Sequence, residues 1–87
     1  MGDFYHFIAV NKEVLRFEFT EVHNPSFPKY FVNVFRKKEL VDKFEMKHEY
    51  ARWTIVPPAP EWAVEVQRQL HAVIDHFRKP FNPSREG

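Results

Sequence analysis

Every internal turn of this chain has to be made without glycine, because its only two glycines are Gly2 and Gly87 at the ends. Glycine is the default residue where the backbone takes a positive φ or lies against a phosphate. Glycine-rich phosphate and dinucleotide loops are therefore excluded. What remains is a chain of 87 residues that is 44% apolar, 29% charged and 17% aromatic, the balance of a globular protein with one core. It contains no cysteine, which removes disulfides, zinc–thiolate sites and thiol nucleophiles together. A domain this small then depends on its apolar core or on a partner.

Residues 13–22 alternate, with Leu15, Phe17 and Phe19 on one side and Arg16, Glu18 and Thr20 on the other. This is the pattern of a half-buried strand. The apolar segment 4–10 precedes it across Asn11-Lys12, a pair suited to a two-residue hairpin turn. That turn sets Ile8 opposite Leu15, His6 opposite Phe17 and Phe4 opposite Phe19, and leaves Tyr5 and Phe7 on the other face. Residues 23–28 hold Pro25 and Pro28 and read as a loop. A third strand is expected over 29–36 and a fourth over 40–48, separated by Lys37-Lys38-Glu39. The fourth alternates cleanly. In the third, Tyr30, Val32 and Val34 compete with Phe31 and Phe35 for the inner face, and nothing local decides the register. A fifth strand over 51–56, after a turn near Glu49-Tyr50, would set Trp53 opposite Met46 and Ile55 opposite Phe44.

Pro57-Pro58-Ala59-Pro60 ends that strand, and Pro60 suits the first position of a helix. From Glu61 to about Lys79, the residues Trp62, Val66, Leu70, Val73 and Phe77 recur at helical spacing with Ala63 and Ile74 beside them. They form one continuous apolar stripe. Burying each large member is worth about 1.5–3 kcal/mol. Arg78 and Lys79 suit the negative end of the helix dipole. The expected fold is α+β: an antiparallel meander of four to five strands followed by one C-terminal amphipathic helix packed on one face. Residues 1–80 form the single domain and 81–87 a flexible tail.

Chemistry-bearing motifs are sparse. The histidines are His6, His23, His48, His71 and His76. His71 and His76 lie about 140° apart around a helix, so they do not converge on a metal as an i, i+4 pair does. Ser26 and Ser84 are the only serines, and neither occupies a strand-to-helix elbow. The carboxylate pairs Glu13 with Glu18 and Glu45 with Glu49 are of a kind common on solvated sheet faces. No catalytic residue, metal site or cofactor is expected. The formal charge is +1, and the bases of the central hairpin alternate with acids, as in Lys43, Glu45, Lys47 and Glu49, which reads as a mixed-charge face. No stretch is long and apolar enough to span a bilayer, and the first residues lack the basic-then-apolar pattern expected of a secretory signal. A cytoplasmic protein is expected.

One helix can cover only one side of the sheet. The uncovered side is therefore the candidate interaction face: Tyr5 and Phe7, then either Tyr30, Val32 and Val34 or Phe31 and Phe35, edged by Arg16, Lys43 and Arg52. Uncovered aromatic faces are normally closed by a partner, by a second copy or by a ligand. The expected function is a small non-enzymatic interaction module, as a homodimer or with another protein. The alternative is single-stranded nucleic-acid binding. In element order alone the chain resembles PUR-repeat and PC4-like domains, whose sheet aromatics stack on bases, although no sequence motif of either family is present. A small apolar ligand between helix and sheet is a third option, less economical than a packed core.

Overall fold

In a computed structural model, residues 3–22 and 28–78 are described. Five strands, β1 (Phe4–Val10), β2 (Glu13–Val22), β3 (Lys29–Arg36), β4 (Glu39–Glu49) and β5 (Arg52–Val56), form an antiparallel meander in the order β1-β2-β3-β4-β5. Two helical segments follow, α1 (Glu61–Glu65) and α2 (Gln67–Arg78). The α+β arrangement is as expected. The loop expected over 23–28, apart from Pro28, and the tail 81–87 lie outside the described residues.

The tight turns are made on positive φ without glycine. Asn11 and Lys12 have φ of 52° and 67°, and Tyr50 and Ala51 have 54° and 66°, the pattern of two-residue I′ hairpins. Lys37 alone is positive at the β3–β4 turn, with φ of 59°. A Cβ in this region costs about 1–2 kcal/mol per residue. Tyr50 is 89% exposed and contributes little packing. Replacing Tyr50-Ala51 with Asn-Gly is therefore expected to stabilise the domain by about 1–2 kcal/mol. At about 4–8 °C per kcal/mol, the rise is readily measured by thermal denaturation.

The first hairpin has the expected register, with Phe4 opposite Phe19, His6 opposite Phe17 and Ile8 opposite Leu15. The last differs. Its turn falls on Tyr50-Ala51, so Ile55 pairs with Met46 and Trp53 with His48. The two-residue shift leaves each side chain on its expected face. Between β3 and β4 the register slips after Val34, where Val34 pairs with Asp42 but Phe35 with Leu40. Val41 is the extra residue and packs against the core. Such a bulge increases local bend and twist.

The sheet curls around the helical segments. Fully buried Phe17, Phe19, Tyr30, Val32, Val34 and Met46 line its inner face, and Leu70 and Ile74 fill it from α2. The stripe is not one continuous helix, because Val66 has φ −104° and ψ 8° and separates α1 from α2. The chain remains tied there by backbone hydrogen bonds, from the Val66 N–H to the Ala63 carbonyl (3.2 Å) and from the Leu70 N–H to the Val66 carbonyl (2.9 Å). Val66 itself is buried in the core.

Helix α2 reaches both edges of the sheet. At β1, the Phe77 ring stacks on Phe4 with centroids 4.5 Å apart, and Phe4 stacks in turn on Phe19 at 4.8 Å. At β5, two side chains of α2 accept backbone N–H groups: His71 Nδ1 from Trp53 and Gln67 Oε1 from Ile55, each at 3.0 Å. The first bond requires an imidazole with Nδ1 unprotonated. Arg78 closes the far end. Its guanidinium donates to Glu21 (3.1 Å) and the Tyr30 hydroxyl (3.4 Å), and lies over the rings of Trp53 and Tyr30. Burial pushes the Tyr30 phenol above its ordinary pKa, with the Arg78 hydrogen bond opposing that shift.

Candidate interaction face

Register decides which side chains share the outer face. Because Phe17 and Phe19 of β2 point inward, their partners Val34 and Val32 must do so too, and Tyr30 follows opposite Glu21. Tyr30, Val32 and Val34, placed provisionally on the candidate face, are thus core residues, with at most 1% of their surface exposed. Phe31 and Phe35 take the outer positions instead. Sequence alternation had offered both sets. The choice between them is made by pairing with β2, across a loop whose length does not specify it.

The outer face is organised in rows across the strands. One row runs Phe7, Arg16, Phe35, Leu40, and the next Tyr5, Glu18, Asn33, Lys43. A third runs Thr20, Phe31, Glu45, Val56. Tyr5 is 58% exposed, Phe7 56% and Phe31 43%. The Tyr5 and Phe7 rings meet edge to face at 5.9 Å. Arg16 lies over Phe35, its guanidinium carbon 4.9 Å from the ring centroid, and pairs with Glu18 at 2.9 Å. Its Nε is buried and has no acceptor among the described residues. Lys29 sits over Phe31 and pairs with Glu45 at 3.1 Å.

Beside Phe31 lies a shallow groove of about 590 Å³ lined by Thr20, Asn33, Lys43, Glu45, Val56 and the Pro57-Pro58 pair. Sequence reasoning treated those prolines only as a strand stop and missed the wall they form. Leu40, 49% exposed at the end of the first row, was also missed. Its exposure follows from the bulge, which no local pattern announces. Lys43 is exposed on the outer face as expected. Arg52 also faces outward, but at the opposite edge from Tyr5 and Phe7, where it borders a groove between β5 and α2. The structure therefore brings Tyr5, Phe7 and Arg16 together with Phe35 and leaves Arg52 apart from them.

The face is electrostatically mixed. Lys47 pairs with Glu49 at 3.5 Å, while on the helix side of the sheet, at the strand ends beyond Leu15 and Val34, Arg36 makes a two-pronged contact with Glu13. The Arg36 hydrogen bond holds the Glu13 carboxyl below its ordinary pKa. Among the described residues no group of three or more His, Asp or Glu side chains could hold a metal ion, and no helix is long and apolar enough to cross a membrane. No family model, curated protein or solved structure matches the chain.

Proposed function

We propose that this chain is a small, non-enzymatic protein-interaction module that binds through the outer face of its sheet. The observation that carries the reading is the cluster Tyr5, Phe7, Arg16 and Phe35, with Phe31 two rows away, aromatics and an arginine left on the one sheet face that the helix does not cover. Aromatic residues and Arg are the side chains enriched where protein interfaces concentrate their binding energy. A cytoplasmic location belongs to the same reading. Arg16, Lys29 and Lys47 are each matched by a carboxylate, which supports a protein surface as partner over a polyanion. A single-stranded oligonucleotide titrated at low salt is accordingly expected to give no binding at tens of micromolar protein, and saturable binding there would favour the nucleic-acid alternative.

The direct test uses an apolar probe of the folded protein. Anilinonaphthalene sulfonate, followed by amide chemical shifts, is expected to perturb Tyr5, Phe7, Phe31 and Phe35 and leave the solvent side of α2 unchanged. Phe31→Lys should weaken that response without altering the fold. A probe that ignores these strands, or binds equally well to Phe31→Lys, sinks the reading.

A further inference from the structure

The two edges of the sheet are treated differently, and the difference identifies a partner. At β5 the outward N–H groups of Trp53 and Ile55 are taken by His71 and Gln67 of α2, so a further strand finds that edge covered. At β1 the two-residue turn makes Val10 and Glu13 a hydrogen-bonded pair, and alternation then directs Ile8, His6 and Phe4 toward β2. The backbone N–H and C=O groups of Tyr5, Phe7 and Ala9 point away from the sheet. Residues 4–10 also contain no Lys, Arg, Asp, Glu or Pro. The charges and prolines with which proteins blunt an exposed edge are therefore missing from this strand.

We infer that the β1 edge pairs with β1 of a second copy of this chain, antiparallel about a two-fold axis at Phe7, joining two five-stranded sheets into one. In that register Phe7 faces the partner's Phe7 and Tyr5 faces the partner's Ala9, so the free-edge groups of each strand meet one another. Asp3 and Lys12, at opposite ends of the strand, come within one residue of each other across the axis with complementary charge. A slip of two residues sets one of those charges opposite an apolar residue and loses ladder bonds. The inference rests on the outer-face reading in one respect: pairing places the Tyr5 and Phe7 rings of both copies side by side, at the centre of a doubled outer face.

Sedimentation of the full chain from low to high micromolar concentration is expected to show a mass twice the 10.5 kDa of the monomer. Ala9→Pro removes an outward N–H while sparing the bonds to β2 and both aromatics, and should weaken association at least about tenfold with an unchanged circular dichroism spectrum. Phe31→Lys, distant from the edge, should remain a dimer. Phe7→Cys supplies a second measurement in a chain without cysteine, since hydrogen-bonded Cα partners about 5.5 Å apart are within disulfide reach. It should cross-link on mild oxidation, and Val14→Cys on the neighbouring strand should not. A monomeric wild type, or equal cross-linking of the two cysteine variants, overturns the edge pairing. So does a dimer that survives Ala9→Pro but is broken by Phe31→Lys, and in that case the outer-face reading stands alone. If Ala9→Pro does not fold, the cysteine pair decides.

Discussion

Val32→Asp is expected to unfold the domain, whereas Phe31→Asp, one residue earlier, leaves it folded. Val32 is fully buried opposite Phe19 and Phe44, and a carboxylate there has no partner. An unpaired buried charge costs several kcal/mol even after relaxation. Domains hold about 0.05–0.15 kcal/mol per residue, so a chain of this length has a total of only about 4–13 kcal/mol. Phe31 stands on the outer face, where aspartate remains in water and the loss is confined to strand propensity and the contact with Lys29, about 1–1.5 kcal/mol together. Circular dichroism and the dispersion of amide resonances distinguish the outcomes. Equal damage from both substitutions would refute the β3 register and the outer face built on it.

Leu70→Ala is the second substitution with a large effect. The side chain is completely buried where α2 meets the sheet, and truncating a core leucine costs about 2.7–5 kcal/mol, depending on how far the cavity relaxes. At about 4–8 °C per kcal/mol the melting temperature should fall by 10 °C or more. The helix carries the Phe77 stack on β1 and the Gln67 and His71 bonds to β5, so loosening its seat weakens both edges. Val64→Ala is the control, because Val64 is 67% exposed and should change the melting temperature by no more than about 4 °C. A Leu70→Ala protein as stable as wild type would mean that α2 does not complete the core.

The strands were legible where their causes are local. Leu15, Phe17 and Phe19 alternate with polar residues, and Asn11-Lys12 accepts the positive φ of a short hairpin, so the first register followed directly. The Tyr50-Ala51 turn was harder, because neither residue advertises positive φ, and the last hairpin was displaced by two positions without exchanging faces. The candidate site was half legible. Tyr5, Phe7 and Arg16 stand where alternation puts them, but Tyr30, Val32 and Val34 had to give way to Phe31 and Phe35. In a strand apolar on both sides, the periodic signal has no preferred phase.

By itself the amino-acid sequence determined the elements: five short strands, the proline stop, an amphipathic helical stripe, and an aromatic surplus too large for one sheet face. These follow from backbone preference and side-chain period within a few residues. Tertiary structure alone decided which face of β3 is buried, where β4 bulges, that the stripe breaks at Val66, and that α2 covers the β5 edge while β1 is the outermost strand among the described residues at the other. Each of these depends on pairing between segments far apart in the chain. Such pairing is selected by fitting all the apolar surfaces together at once, and no local window contains that information.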